Sequence, residues 1–210
     1  MNAMPDRHMD VTALGILQSD CVRRWHQQSI DNPVAERNSL AWHVCRQHAF
    51  NFRLWHEEDL ARQPDASDAA VAKVKRNIDK LNQLRNDGIE VLDEQVDQLL
   101  RDAGVRTDDN VPSNTETVGS AIDRLSIMSL RIYHYREEIG RRDPDADDVG
   151  PLRDRLQRCV DQHAQLVESL QHLVDRLFSG KVRHQTFRQF KMYNDPQLNP
   201  AIYGQADDAI

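Results

Sequence analysis

Apolar residues recur along this chain at every third or fourth position, the spacing of one face of an α-helix, and period-2 alternation is not sustained anywhere. The pattern predicts five helices. The first runs from about Asp10 to Ser29 and turns Leu14, Leu17, Cys21 and Trp25 inward. Asp31-Asn32-Pro33 marks a stop and restart, with Asn32 as cap and Pro33 at the first helical position. The second helix spans about Pro33 to Arg62 and carries two overlapping rows. One holds Leu40, Val44, Gln47, Asn51, Leu54, Glu58 and Ala61; the other holds Ala41, Val44, His48, Asn51, Trp55, Glu58 and Arg62. Asn51 and Glu58 belong to both rows, which places them mid-face.

The third helix runs from about Asp68 to Asp102, with Val71, Val74, Ile78, Leu81, Leu92, Val96 and Leu99 along its stripe. Asn86-Asp87-Gly88 reads as a turn, yet the apolar phase continues through it, so one continuous or mildly kinked helix is expected. The fourth helix is expected to be capped by Ser113 or Asn114, with Glu116 completing a capping box, and to end near Arg141. Val118, Ile122 and Leu125 lie on one face and Ile127 and Leu130 on another, so this helix is placed centrally. The fifth spans about Pro151 to Phe178. Long helices with short connections predict an all-α antiparallel up-down bundle over residues 1–180. Residues 181–210 change character. Lys181, Arg183, His184, Arg188 and Lys191 interleave with Phe187, Phe190 and Tyr193, and Asn194-Asp195-Pro196 and Asn199-Pro200 then forbid a regular helix. This tail is expected to pack on the bundle or on a second subunit, and a homodimer is expected.

Bulk properties remove several classes. The 210 residues suit one domain with a real core, and a net charge of −7 argues against nucleic-acid binding. No run approaches a membrane span, Met1 to Asp10 contains no apolar signal core, and a cytoplasmic location is expected. Cys21, Cys45 and Cys159 form no CxxC pair and read as buried free thiols.

The candidate chemistry lies where polar groups interrupt core-facing rows: Asn51, Trp55, Glu58, Asp59 and Arg62 on the second helix, Asn82 and Arg85 on the third, and Glu116, Ser120, Asp123 and Arg124 on the fourth. Charges on such faces either pair with one another or line a wet cavity. In the first case Glu58–Arg85 and Asp123 with Arg124 or Arg62 are ion pairs that fix helix register. In the second they line a pocket for a small polar or anionic ligand, phosphorylated or sugar-like, with Trp55 as a stacking wall. Glu58 and Asp123 are then the groups for any acid–base step; whether turnover accompanies binding is left open. The rival reading is a non-catalytic interaction or scaffold protein.

Other chemistries find less support. A di-metal bundle needs Glu-x-x-His pairs, and none occurs; His134-x-x-Glu137 and His56-x-x-Asp59 run in the reverse order. No metal or other cofactor is therefore expected. His43, His48 and His56 do not share one face, and His163 reads as a hydrogen-bonded core residue. Ser120 or Ser126 as nucleophile needs a histidine base, and His134 faces away from Ser126.

Three stretches carry a resemblance: Asn51-x-x-Leu-Trp-His-Glu-Glu-Asp-Leu-Ala-Arg62, Ile78-Asp-Lys-Leu-Asn-Gln-Leu-Arg-Asn-Asp87, and Glu116-Thr-Val-Gly-Ser-Ala-Ile-Asp-Arg-Leu-Ser-Ile127. With Tyr193-Asn-Asp-Pro196 and Leu198-Asn199-Pro200 they resemble an uncharacterised bacterial family, domain of unknown function 4254. The resemblance implies a helical bacterial protein of about this length. It brings no activity and no catalytic residues, and it reinforces the choice of the polar residues named above.

Overall fold

Four of the five helices begin at a side chain that accepts a backbone N–H left free by the first turn. Asp10 accepts from Ala13, Ser39 from Trp42, Ser67 from Ala70 and Thr117 from Ser120, at 3.1–3.3 Å. The computed structural model describes residues 9–108, 110–144, 146–190 and 197–200. Its helices are α1 (Val11–Trp25), α2 (Leu40–Leu60), α3 (Asp68–Asp102), α4 (Val118–Gly140) and α5 (Val149–Phe178). The protein is an all-α bundle, and no strand occurs among the described residues. No described helix is long and apolar enough to cross a membrane.

Two helix starts differ from the sequence expectation. The second helix begins at Leu40, not at Pro33. Asn38 sits at φ 66°, a left-handed conformation that ends any helix before it. Asn32 instead folds a local turn, accepting from Val34 N–H and donating to the Trp42 carbonyl. The fourth helix is capped by Thr117, not by Ser113 or Asn114. Glu116 does not return to a cap; it pairs with Arg124 on the surface. Through Asn86-Asp87-Gly88, α3 is continuous, about 50 Å long at 1.5 Å per residue.

Helix α4 touches all four others. Its Val118, Ile122 and Leu125 are fully buried among Val11 and Leu14 of α1, Val44 of α2, Leu92 and Val96 of α3, and Leu170, Val174 and Leu177 of α5. Each such side chain contributes about 1.5–3 kcal/mol on leaving water. A second apolar cluster joins Cys21, Val22, Trp25, Cys45, Phe52 and Leu130. All three cysteines are buried free thiols, with the Cys21 and Cys45 sulfurs 3.5 Å apart.

The close contact of α3 and α4 depends on Gly119. A Cβ there would lie 2.5 Å from the Ile89 carbonyl oxygen and 2.8 Å from Asp93 Oδ1. The Gly119 N–H uses that proximity and donates to Asp93 Oδ1 at 2.6 Å. After α5, residues 181–190 run along α3. Val182 is buried, His184 and Thr186 bond Asp97, and Arg188 bonds Glu90 and Glu94. Phe187 and Phe190 are exposed. Asp145 of the acidic loop, the tail residues Lys191, Tyr193 and Asn194-Asp195-Pro196, and residues 201–210 lie outside the described residues.

Candidate functional site

Asp123 stands 5% exposed at the middle of the bundle and is the hub of its polar interior. Its Oδ1 accepts from Gln47 Nε2 at 2.5 Å, Asn51 Nδ2 at 2.9 Å and Arg85 Nε at 2.9 Å; its Oδ2 accepts from Arg85 Nη2 at 2.5 Å. The hydrogen bonds to Asp123 hold the Arg85 guanidinium above its usual range, against the opposing effect of burial. A carboxylate with four donors and a two-pronged guanidinium partner is the form in which a charge is tolerated inside a protein.

From Asp123 a directional chain runs on through the interior. Asn51 Nδ2 also donates to Ser126 Oγ at 2.8 Å, and Ser126 lies 2.6 Å from His48 Nδ1. His48 Nε2 lies 3.0 Å from the Gln18 carbonyl, which only accepts. The proton therefore sits on Nε2, and the Ser126 hydroxyl donates to Nδ1. Burial pushes the His48 imidazole down to about 3, against the opposing pull of the Gln18 carbonyl and Asp123. Gln18 Nε2 in turn donates to the Ile122 carbonyl. The network thus ties α1, α2, α3 and α4 together.

Among the polar residues singled out from the sequence, the structure brings Asn51, Arg85 and Asp123 into this hub. The expected ion pairs are redistributed. Arg85 pairs with Asp123 instead of Glu58, because α4 rather than α2 presents a carboxylate to it. Glu58 pairs with Arg62 one turn on, at 3.0 Å. Arg124 pairs with Glu116, not with Asp123. Ser120 serves the start of α4, where its hydroxyl accepts from Thr117. Asn82 is half-buried on α3 and makes none of these contacts. Sequence reasoning passed over Gln47, His48, Ser126 and Gln18. The signal for Gln47 and His48 was present, since each interrupts an apolar row; Ser126 was missed as a partner because its base comes from α2 rather than from its own helix. Ser126 and His48 are both 0% exposed, so this serine–histidine pair meets no substrate and acts as structure.

Asn51 is also the door between this interior and the surface. With Leu54, Trp55, Glu58, Asp59, Arg62 and Ile127 it lines a cleft of about 400 Å³, within the size range of small-molecule sites. Asn51 Oδ1 is buried and accepts no hydrogen bond. Trp55 closes one side, its ring stacked parallel on His134 with centroids 4.9 Å apart. A larger groove of about 690 Å³ runs between α1 and α5 past Gly15, Ile16 and His163. Its buried polar group, Gln171, is already satisfied by Val11 N–H, the Met9 carbonyl and Asp175. The unmet acceptor of Asn51 distinguishes the cleft from this groove.

No curated protein and no solved structure matches the chain. The family described as "Protein of unknown function (DUF4254)" matches residues 41–186, well over half of the 210. That span holds α2 from its second residue, α3, α4 and α5, with the hub and the whole cleft. The chain belongs to this family.

Proposed function

We propose that the cleft beside Asn51 binds a small, neutral, hydroxyl-rich ligand, sugar-like in chemistry. The observation that carries this reading is that Asn51, whose Oδ1 is buried and unpartnered, lines a cleft whose other polar groups are chiefly carboxylates. Such a wall accepts hydrogen bonds, so its ligand must donate them, as hydroxyls do. Trp55, Leu54 and Ile127 supply apolar surface for the C–H face of such a ligand. A phosphorylated ligand fits less well. The cleft's one cation, Arg62, is engaged by Glu58, and Asp59 stands beside it.

A second reading, in which the buried charges only fix helix register, is favoured at the hub. There Asp123 and Arg85 satisfy one another and Asp123 has further donors in Gln47 and Asn51. The two readings divide the molecule: structure at Asp123, binding at the outer side of Asn51. Thermal melting with a panel of neutral sugars and polyols, and with their phosphate esters, tests the proposal. A binder raises the melting temperature by mass action. Stabilisation by a neutral compound, lost in Trp55→Ala and in Asp59→Asn, is the expected result. No shift at saturating concentration, or a shift unchanged in both variants, overturns it.

A further inference from the structure

His134, the ring stacked on Trp55, belongs to a second cluster. His26 stands at the C-terminal cap of α1, His56 near the end of α2 and His134 on α4. One ligating nitrogen from each lies within 4.8 Å of the other two. The ring centroids are 5.0–5.5 Å apart and the planes cross at 71–78°, so the three rings meet edge-on rather than stacking face to face.

Two of the rings have their protons assigned by their surroundings. His26 Nδ1 lies 2.8 Å from the Val22 carbonyl oxygen, which only accepts. Its proton is therefore on Nδ1 and a lone pair is on Nε2. His134 Nδ1 faces Glu137 Oε2 at 3.4 Å, which fixes its tautomer in the same sense. Both Nε2 atoms are buried and have no hydrogen-bond partner. Buried polar atoms are almost always satisfied. Two unmet lone pairs, from different helices and within reach of a third imidazole, call for a shared electrophile.

We propose that His26, His56 and His134 bind one divalent transition-metal ion, with zinc the expected occupant and a fourth position left for water or an added ligand. Three imidazoles suit zinc, copper or nickel and not magnesium or calcium, which take oxygen. A tetrahedral ion with bonds near 2.0–2.1 Å needs each nitrogen to move inward by about 1 Å or less. The partners on the far nitrogens, a backbone carbonyl for His26 and a carboxylate for His134, are those that orient metal-bound imidazoles. Asp59 Oδ2 stands 4.0 Å from His56 Nδ1, on the same pattern at longer range. An aromatic shell holds the rings: Tyr133 stacks on His26 at 4.0 Å, and Phe52 meets His26 and His56 edge-on at 4.9 and 4.6 Å. None of the three imidazoles lines the cleft at Asn51, although Trp55 and Asp59 stand beside both sites.

The expectation of no metal rested on ligands paired along one helix. Here each ligand comes from a different element, so no local spacing reveals the set. The reversed pairs His134-x-x-Glu137 and His56-x-x-Asp59 set a carboxylate beside each imidazole, at 3.4 and 4.0 Å.

The test is zinc titration of the full chain, stripped of metal, in competition with a chromogenic chelator at neutral pH. One zinc per chain is expected. His26→Gln and His134→Gln should each weaken binding by about 100-fold or more, and Glu137→Gln by about 10-fold to 100-fold. His163→Gln, on α5, should leave affinity unchanged. Cobalt(II) added to the wild-type chain should give the visible absorption of a tetrahedral ion, a readout that needs no variant to fold. Absence of that one-to-one cobalt spectrum overturns the proposal, as does zinc affinity that survives His134→Gln. Equal loss in His163→Gln also overturns it.

Discussion

Arg85 on α3 and Asp123 on α4 meet through two parallel hydrogen bonds, Nε to Oδ1 and Nη2 to Oδ2, with Asp123 almost wholly buried and Arg85 partly so. Removing either partner leaves the other charge unmatched. Asp123→Asn should cost about 3–5 kcal/mol. Arg85→Met should cost less, because Gln47 and Asn51 still donate to the carboxylate. In a double-mutant cycle by urea unfolding the two changes should be strongly non-additive. Additive losses would mean the pair does not act as a unit.

Gly119 and Gly140 should respond oppositely to alanine. At Gly119 the new methyl meets a backbone carbonyl that cannot rotate away, so Gly119→Ala should destabilise by about 1–3 kcal/mol or more. At Gly140 a Cβ meets nothing within 4 Å. There Gly140→Ala should stabilise by up to about 1 kcal/mol. Denaturant midpoints of the two variants check both signs.

His48 and His184 set opposite pH dependences. His48 is depressed to about 3 by burial, below its ordinary 6.5. The unfolded chain therefore takes up a proton that the folded chain refuses. Stability from this group is present above about pH 6.5 and falls as pH drops towards 3, by at most about 5 kcal/mol. For His184 burial alone would lower the imidazole, but Asp93 and Asp97 outweigh it and the net direction is upward. Its contribution is full below about pH 6.5 and is lost as pH rises through the raised folded value. Stability measured against pH should show the acid limb weakened in His48→Gln and the alkaline decline weakened in His184→Gln. Unchanged profiles would contradict both assignments.

The homodimer expected from the sequence would cover Phe187 and Phe190, which are 48% and 83% exposed. Light scattering at micromolar concentration should give twice the 24.3 kDa chain mass, and Phe187→Ser with Phe190→Ser should return it to one. A wild-type monomer would contradict the expectation.

The fold was legible because each helix carries a continuous apolar stripe and a turn-forming break at its ends. α3 could be followed through Asn86-Asp87-Gly88 on phase alone. Asn51, Arg85 and Asp123 were legible as polar residues on core-facing rows. Their pairing was not. Periodicity says which face a residue occupies, but rotation and register between helices decide which charge it meets, so Arg85 was matched to Glu58 instead of Asp123. The starts at Leu40 and Val118 were missed because several capping residues lie close together before each; ahead of α2 the left-handed backbone at Asn38 chose among them. His26, His56 and His134 had no local signature at all, since the chain folds three distant positions together.

The cleft at Asn51 is where we propose that a hydroxyl-rich ligand binds. An electron-density map of crystals grown with the tightest-binding neutral compound tests it most directly. Ligand density is expected against Trp55 and Asp59, with a hydroxyl within about 2.5–3.2 Å of the Asn51 amide oxygen. Ordered water alone in the cleft, or the compound bound elsewhere on the bundle, would contradict it.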